Sequence, residues 1–195
     1  MERIISLKRA TKETVVTLTL NLDGKGSYNI KTGIPFLDHM LTLFAVHGTF
    51  DLDIHAKGDL EVDDHHTVED IGIVLGQAIS KALSDRKGIN RYGEATIPMD
   101  EALAGVYLDL SNRPCLCYKV TYLTPRSGTF DLELIEEFFR AVSFNGGITL
   151  HIHKLCGKNG HHIAEAIFKG FASALDIATR TRQSGPEVPS SKGVL

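Results

Sequence analysis

The first thirty residues alternate apolar and polar positions as a half-buried strand requires. Val16, Leu18, Leu20 and Leu22 share one face, and a period of two is the strand signature. The pattern predicts strands over residues 3–9, 14–22 and 27–30. From Phe36 the period lengthens. Phe36-Leu37-Asp38-His39-Met40-Leu41-Thr42-Leu43-Phe44 has the apolar spacing of an amphipathic helix. A strand-like piece follows over 48–55. In a second, longer helix Val68, Ile71, Leu75, Ile79 and Ala82 trace one face.

The same order then recurs. Strands are predicted over 93–99, 103–110 and 115–121. Leu134-Ile135-Glu136-Glu137-Phe138-Phe139-Arg140-Ala141-Val142 repeats the first helix, and 146–153 repeats the strand after it. Ala164, Ile167, Phe171, Leu175 and Ala178 retrace the face of the second helix. Self-similarity of this kind marks a duplication. The expected fold is α+β, built from two β-β-β-α-β-α halves, with each sheet carrying its helices on one face. The halves are expected at 1–87 and 88–182, divided at the turn-like Lys87-Gly88-Ile89-Asn90. Residues 183–195 form a tail rich in Gly, Pro and Ser without a core pattern.

The chain has 195 residues and a formal net charge of -3, so no global field attracts nucleic acid or an acidic membrane. No apolar run approaches the roughly 20 residues that span a bilayer. The start runs straight into strand-like sequence, unlike a signal peptide. Three cysteines cannot all pair within the chain, and Cys115-x-Cys117 is not a redox motif. A cytoplasmic location is expected. One feature of the composition changes this ordinary picture: nine residues are His, and four of them form two adjacent pairs.

Each pair opens the second helix of its half, as His65-His66-x-x-Glu69 and His161-His162-x-x-Glu165. Residues i and i+4 lie on one helix face, so His65 with Glu69, and His161 with Glu165, can converge on an ion. His66 and His162 point about 100° round the axis. Two such motifs can therefore serve two metals reciprocally. A single His-x-x-x-Glu is more often an ordinary polar pair. Retention of all three candidate ligands in both copies favours metal. Imidazole and carboxylate without thiolate suit Mn, Fe, Co or Zn.

Three segments carry a family resemblance: Asp38-His39-Met40-Leu41, Asp64-His65-His66-Thr67-Val68-Glu69-Asp70 and Lys158-Asn159-Gly160-His161-His162-Ile163-x-Glu165-Ala166. Together with Arg9-x-Thr11-x-Glu13-Thr14 and the tail Pro189-Ser190-Ser191-Lys192-Gly193, they resemble the signatures of imidazoleglycerol-phosphate dehydratases over essentially the whole chain. The resemblance implies a duplicated fold of the ribosomal protein S5 domain 2 type. It implies dehydration of D-erythro-imidazole glycerol phosphate to imidazole acetol phosphate in histidine biosynthesis. It also implies two Mn2+ per active site and self-assembly into a 24-mer with active sites between subunits. One manganese would be held by His39, His66, His161 and Glu165, the other by His65, Glu69, His162 and Glu137. Many family members carry His where this chain has Glu137, with Glu136 beside it as the fallback.

The proton to be removed has no adjacent carbonyl to acidify it. The family mechanism implies an imidazolate bridging the metals, which expels the hydroxyl to give a diazafulvene. Glu13 and Asp100 are the candidate general acid and base, and Glu13, His39 and His65 are expected to contact substrate. Arg91, Arg113, Lys169, Ser190, Ser191 and Lys192 match phosphate-binding positions, where guanidinium can bind bidentately. As plain residues, Glu13 and Asp100 read as solvated strand-end carboxylates, Lys169 as a surface partner of Glu165, and the tail as disordered. Among the remaining histidines, His47 reads as a helix end, and His55, His151 and His153 as strand residues facing solvent; His151 and His153 share a face and can chelate adventitiously. All three cysteines read as free thiols. Two rival functions use the same ligands: a metal-storing shell, which has no need of the phosphate-type cations, and a dinuclear phosphohydrolase.

Overall fold

The computed structural model describes residues 3–182 and Ser190; Ser191 and Lys192 lie outside the described residues. The chain folds as β1 (Ile4–Ala10), β2 (Thr14–Asn21), β3 (Tyr28–Lys31), α1 (Pro35–Gly48), β4 (Asp51–Gly58) and α2 (His65–Leu83). It continues as β5 (Tyr92–Met99), β6 (Ala102–Asp109), β7 (Cys115–Lys119), β8 (Arg126–Ser127), β9 (Phe130–Asp131), α3 (Leu134–Gly146), β10 (Thr149–Cys156) and α4 (Gly160–Thr179). The sheets are ordered β1-β2-β4-β3 and β5-β6-β10-β7. In each, the third strand of the half pairs parallel with the strand that follows the first helix. The α+β architecture and its repetition are therefore those expected from the hydrophobic pattern.

Each sheet turns one face inward. Val16, Leu18 and Leu20 of β2 are buried, as are Ala104, Val106 and Leu108 of β6. Against these faces lie α2 and α4 respectively, and the helices meet across the middle as α2 with α3 and α1 with α4. The two halves therefore share one core. Aromatic rings join them: Phe44 of α1 stacks on Phe171 of α4 with centroids 5.6 Å apart, and Phe171 meets Phe139 of α3 at 5.2 Å. Full burial of such side chains contributes about 1.5–3 kcal/mol each.

The two helix crossings reach contact differently. Between α1 and α4 large side chains fill the gap. Between α2 and α3 the backbones close directly, because Gly72 and Gly76 present no side chain. A Cβ on Gly72 would stand 2.7 Å from the Phe138 carbonyl oxygen, and one on Gly76 would stand 2.6 Å from that of Val142. Gly76→Val should therefore force the helices apart and lower stability by about 1–3 kcal/mol, seen as a lower thermal unfolding midpoint. An unchanged midpoint would show that the crossing is not close-packed.

One element is absent from the sequence expectation. Strands β8 and β9 form a small hairpin through Gly128-Thr129, with Gly128 at φ 62°. A two-residue loop with glycine in that region is a standard hairpin turn. Arg126 Nε donates to Asp131 Oδ1 at 2.6 Å and ties its ends.

Candidate metal centre

The repeated helix starts are built by local hydrogen bonds. Before α4, the Asn159 side chain accepts from the His161 backbone N–H at 2.9 Å, a conventional N-cap. Before α2, Asp63 Oδ1 accepts from the His65 N–H at 2.8 Å. The start of α1 is fixed by Asp38, whose Oδ1 accepts from the Thr32 N–H at 2.9 Å and from the Thr32 hydroxyl at 2.6 Å. Pro35 occupies the first turn, where a missing N–H costs nothing. These contacts hold His39 one turn into its helix.

Packing of α1 on α4 then brings three groups together. Glu165 Oε1 lies 3.2 Å from His39 Nε2 and 3.0 Å from His161 Nε2. The three ligand atoms fall within 4.8 Å of one another, close enough for one ion. Glu165 is buried, and its Oε2 accepts from Lys169 Nζ at 2.6 Å. Burial pushes the carboxyl toward neutrality, but hydrogen bonds from Lys169, His39 and His161 outweigh it and hold the pKa down to about 2. Lys169 also reaches Met99 Sδ at 3.3 Å, and its side chain is only 15% exposed. The Glu–Lys pair thus exists, but inside the protein and against the ligand carboxylate.

The related crossing of α2 on α3 places Glu69 and Glu137 along one small pocket. Glu137 Oε2 lies 3.4 Å from Arg140 Nε, and Glu136 Oε1 accepts from Arg140 Nη2 at 2.7 Å. Among the described residues, His65, Glu69 and Glu137 do not close into a cluster comparable with the first.

The second histidine of each pair turns away from these crossings. His66 Nδ1 faces Asp59 Oδ2 at 3.0 Å, and His162 Nδ1 faces Glu101 Oε2 at 2.7 Å. A carboxylate on Nδ1 fixes the proton there and leaves Nε2 free to ligate. Asp59 raises the pKa of His66, and Glu101 raises that of His162. Glu101 itself is lowered to about 2, first by His162 and then by the N–H groups of Asn159 and Lys158. Neither orienting carboxylate is marked in the sequence. Both come from loops outside the repeated helix motif and carry no local signal.

The candidate acid–base residues stand beside the same two imidazoles. Asp100 Oδ2 is 3.8 Å from His162 Nε2. Glu13 is exposed, and its charge contributes to raising the pKa of His66. The segment from Arg9 to Thr14 supports α2 through Asp70, which accepts from Arg9 Nε at 2.7 Å and from the Thr14 hydroxyl.

Beside His39 and His161 opens a pocket of about 410 Å³, also lined by Pro35, Phe36 and the hairpin residues Ser127 to Phe130. Phe36 stacks on Phe130 with centroids 4.9 Å apart. This hairpin is the second part of the site that the sequence did not reveal. Lys169 aside, the candidate cations are elsewhere. Arg91 is buried and grips Asp109 at 2.7 Å and 3.0 Å, and Arg113 approaches the same carboxylate at 3.6 Å. Arg91 lies beside the far end of α4, its N–H donating to the Ala178 carbonyl at 2.9 Å. Ser190 is half-buried.

Paired imidazoles and carboxylates at two repeated helix starts, in a duplicated α+β fold, define a candidate metal-dependent enzyme centre. Comparison with known proteins makes the class specific. Residues 32–175 match the family described as imidazoleglycerol-phosphate dehydratase. The chain is 58% identical over 190 residues to the imidazoleglycerol-phosphate dehydratase of Syntrophobacter fumaroxidans, covering 97% of this chain and 96% of that protein. It is 57% identical to that of Acetivibrio thermocellus over 195 residues and the full length of both. The crystal structure of the Staphylococcus aureus dehydratase superposes with a TM-score of 0.84 at 45% identity, covering 92% of this chain and 99% of that one. That of the Pyrococcus furiosus enzyme in complex with (S)-C348 also gives 0.84, at 39% identity, covering 97% and 100%. The chain belongs to the imidazoleglycerol-phosphate dehydratase family, hydro-lyases of histidine biosynthesis.

In the metal-free protein, Lys169→Met should raise the pKa of Glu165. The ammonium no longer stabilises the anion, while burial still disfavours it. The wild-type carboxylate stays charged as pH falls to about 2; that of the variant should take up its proton at higher pH. Carboxyl carbon NMR titration reads the change directly. An unmoved titration would mean that the two imidazoles hold the charge unaided.

Proposed function

We propose that the protein dehydrates D-erythro-imidazole glycerol phosphate to imidazole acetol phosphate at a centre for two Mn2+, completed between subunits of a 24-mer. The observation that carries this reading is the convergence of His39, His161 and Glu165 from two helices in a chain of this family. Three free thiols suit the reducing cytoplasm in which we place it.

The donor set fits the metal. Carboxylate and imidazole without thiolate suit a first-row divalent ion, and Glu165 is ionised without metal. His39, His66, His161 and Glu165 would hold one ion, and His65, Glu69, His162 and Glu137 the other. When bound, the ions supply Lewis acidity and a template that orients the imidazole ring. His39, His161 and the hairpin form the wall against which the ring sits. Glu13 and Asp100 would move the two protons, a role supported by their exposure and by the approach of Asp100 to His162. Arg91, Arg113, Lys169, Ser190, Ser191 and Lys192 bind the phosphate.

Assembly follows from reach. His66 is not part of the His39 cluster in the same chain. Helix α4 rises roughly 1.5 Å per residue, so Arg91 beside Ala178 stands roughly 25 Å along the axis from His161. A substrate with one imidazole and one phosphate on a short carbon chain cannot touch both in one subunit. Arg91 and Arg113 therefore serve a neighbour's centre.

Turnover of imidazole glycerol phosphate with added Mn2+ tests the activity. Release of inorganic phosphate without dehydration would instead establish a phosphohydrolase, and full metallation without any product would leave only storage. Removing an orienting carboxylate, in Asp59→Ala or Glu101→Ala, should weaken manganese binding by about 10- to 100-fold, measured by equilibrium dialysis. Retained affinity in both would separate these carboxylates from the metal. Arg113→Ala and His161→Ala should each be inactive alone. Dissociated and reassembled together they should regain part of the activity, since some mixed sites take an intact contribution from each. No recovery would place the whole site within one subunit.

A further inference from the structure

The outward face of the second sheet carries a group that the dehydratase site does not use. In the parallel register of β7 and β10, Cys117 stands opposite His151, and Lys119 opposite His153. Residues two apart in a strand share a face, so both imidazoles and the thiol lie on the same surface. One ring nitrogen of each histidine and Sγ of Cys117 fall within 4.8 Å of one another. The imidazole centroids are 6.1 Å apart.

A second observation points to a ligand. His153 Nε2 is withdrawn from solvent and has no hydrogen-bond partner. Buried ring nitrogens are ordinarily satisfied, and one that is not calls for water or an ion. Its surroundings explain its isolation. Tyr107 lies edge-on to the ring, with centroids 6.1 Å apart, and its hydroxyl covers the space over Gly105, the residue opposite His153. Burial, and after it the charges of Lys119 and His151, lower the pKa of His153. The neutral ring is the form that binds metals.

We propose that Cys117, His151 and His153 form a separate metal site for a thiophilic divalent ion, of which Zn2+ is the representative. A thiolate with two imidazoles is a softer donor set than the His–Glu centre, and three protein ligands leave a fourth position open. His151 also lines a groove of about 550 Å³ with Tyr92, Glu94 and Asp109, so a small exogenous ligand has access to that position. The strands hold the three groups in place before any ion arrives. None of its three ligands belongs to the manganese centre or to the proposed phosphate site.

Cobalt separates the two sites, because only this one offers sulfur. Added to the manganese-loaded protein, Co2+ should produce a near-ultraviolet thiolate-to-metal charge-transfer band that saturates at one equivalent per chain and is bleached by Zn2+. Cys117→Ser should abolish the band and leave dehydratase activity unchanged, which also shows that the variant folds. Cys115→Ser and Cys156→Ser should retain it. His153→Ala should weaken cobalt binding by about tenfold or more, since loss even of an orienting partner costs that much. No band in the wild type, a band that survives Cys117→Ser, or full affinity in His153→Ala would each overturn the proposal.

Discussion

Burial of the Glu165 carboxylate is the constraint around which the centre is organised. A carboxylate taken out of water is driven to protonate unless donors replace its solvation. Here three cations or potential cations surround it: Lys169 on Oε2, and His39 and His161 on Oε1. The arrangement is preorganised for a divalent ion, which would take the place of protons on the imidazoles while Lys169 keeps its own oxygen. It also demands that α1 and α4 pack in one register. The stacking of Phe44 on Phe171 supplies that register from the apolar side. Core packing and the geometry of the His39–His161–Glu165 cluster therefore depend on the same helix crossing.

The duplication explains why there are two helix crossings, and the differences between them show how far the copies have parted. Gly72 and Gly76 let α2 and α3 approach by backbone contact; their counterparts in α4 are Phe168 and Ala172. At the ligand positions, His39 of α1 corresponds to Glu137 of α3. An imidazole beside Glu165 gives attraction or hydrogen bonding. A carboxylate beside Glu69 gives repulsion, and Glu137 turns instead toward Arg140. That difference accounts for one cluster closing without metal while the other stays apart. A cation between Glu69 and Glu137 would reverse the sign of their interaction.

The parts of this structure legible in the sequence are those encoded by periodicity. The strands of β2 and β6, the four long helices and the His-His-x-x-Glu starts each repeat at fixed spacing, so the repeated α+β order and the paired candidate ligands are visible in the sequence. Asp59 and Glu101 are not. Each orients its histidine across a loop, and nothing in the neighbouring sequence distinguishes such a carboxylate from a solvated one. The β8–β9 hairpin escaped for another reason. Its strands are two residues each, too short for alternation to register, and Gly128 is the one local mark of its turn. Its position makes Lys169 a candidate phosphate ligand, with a surface ion pair as the plain alternative. The structure has the pair, yet buried, a distinction that helical spacing alone cannot make.

The two ends of α4 raise a question that one chain cannot answer internally. Its N-terminus carries His161 and His162, while its C-terminal end abuts Arg91. Arg91 is hydrogen-bonded to Asp109 through two guanidinium nitrogens, which fixes its plane, and the exposed Arg113 approaches the same carboxylate at 3.6 Å. If Arg91 binds phosphate as proposed, holding it rigidly on a carboxylate would suit binding of the anion in one orientation. On the proposed reading, the chain separates its candidate metal ligands from Arg91 by most of the length of α4, and Lys169 is the cation that stays beside them. The separation is productive only if the opposite ends of neighbouring chains meet, so the placement of Arg91 is itself an argument for assembly.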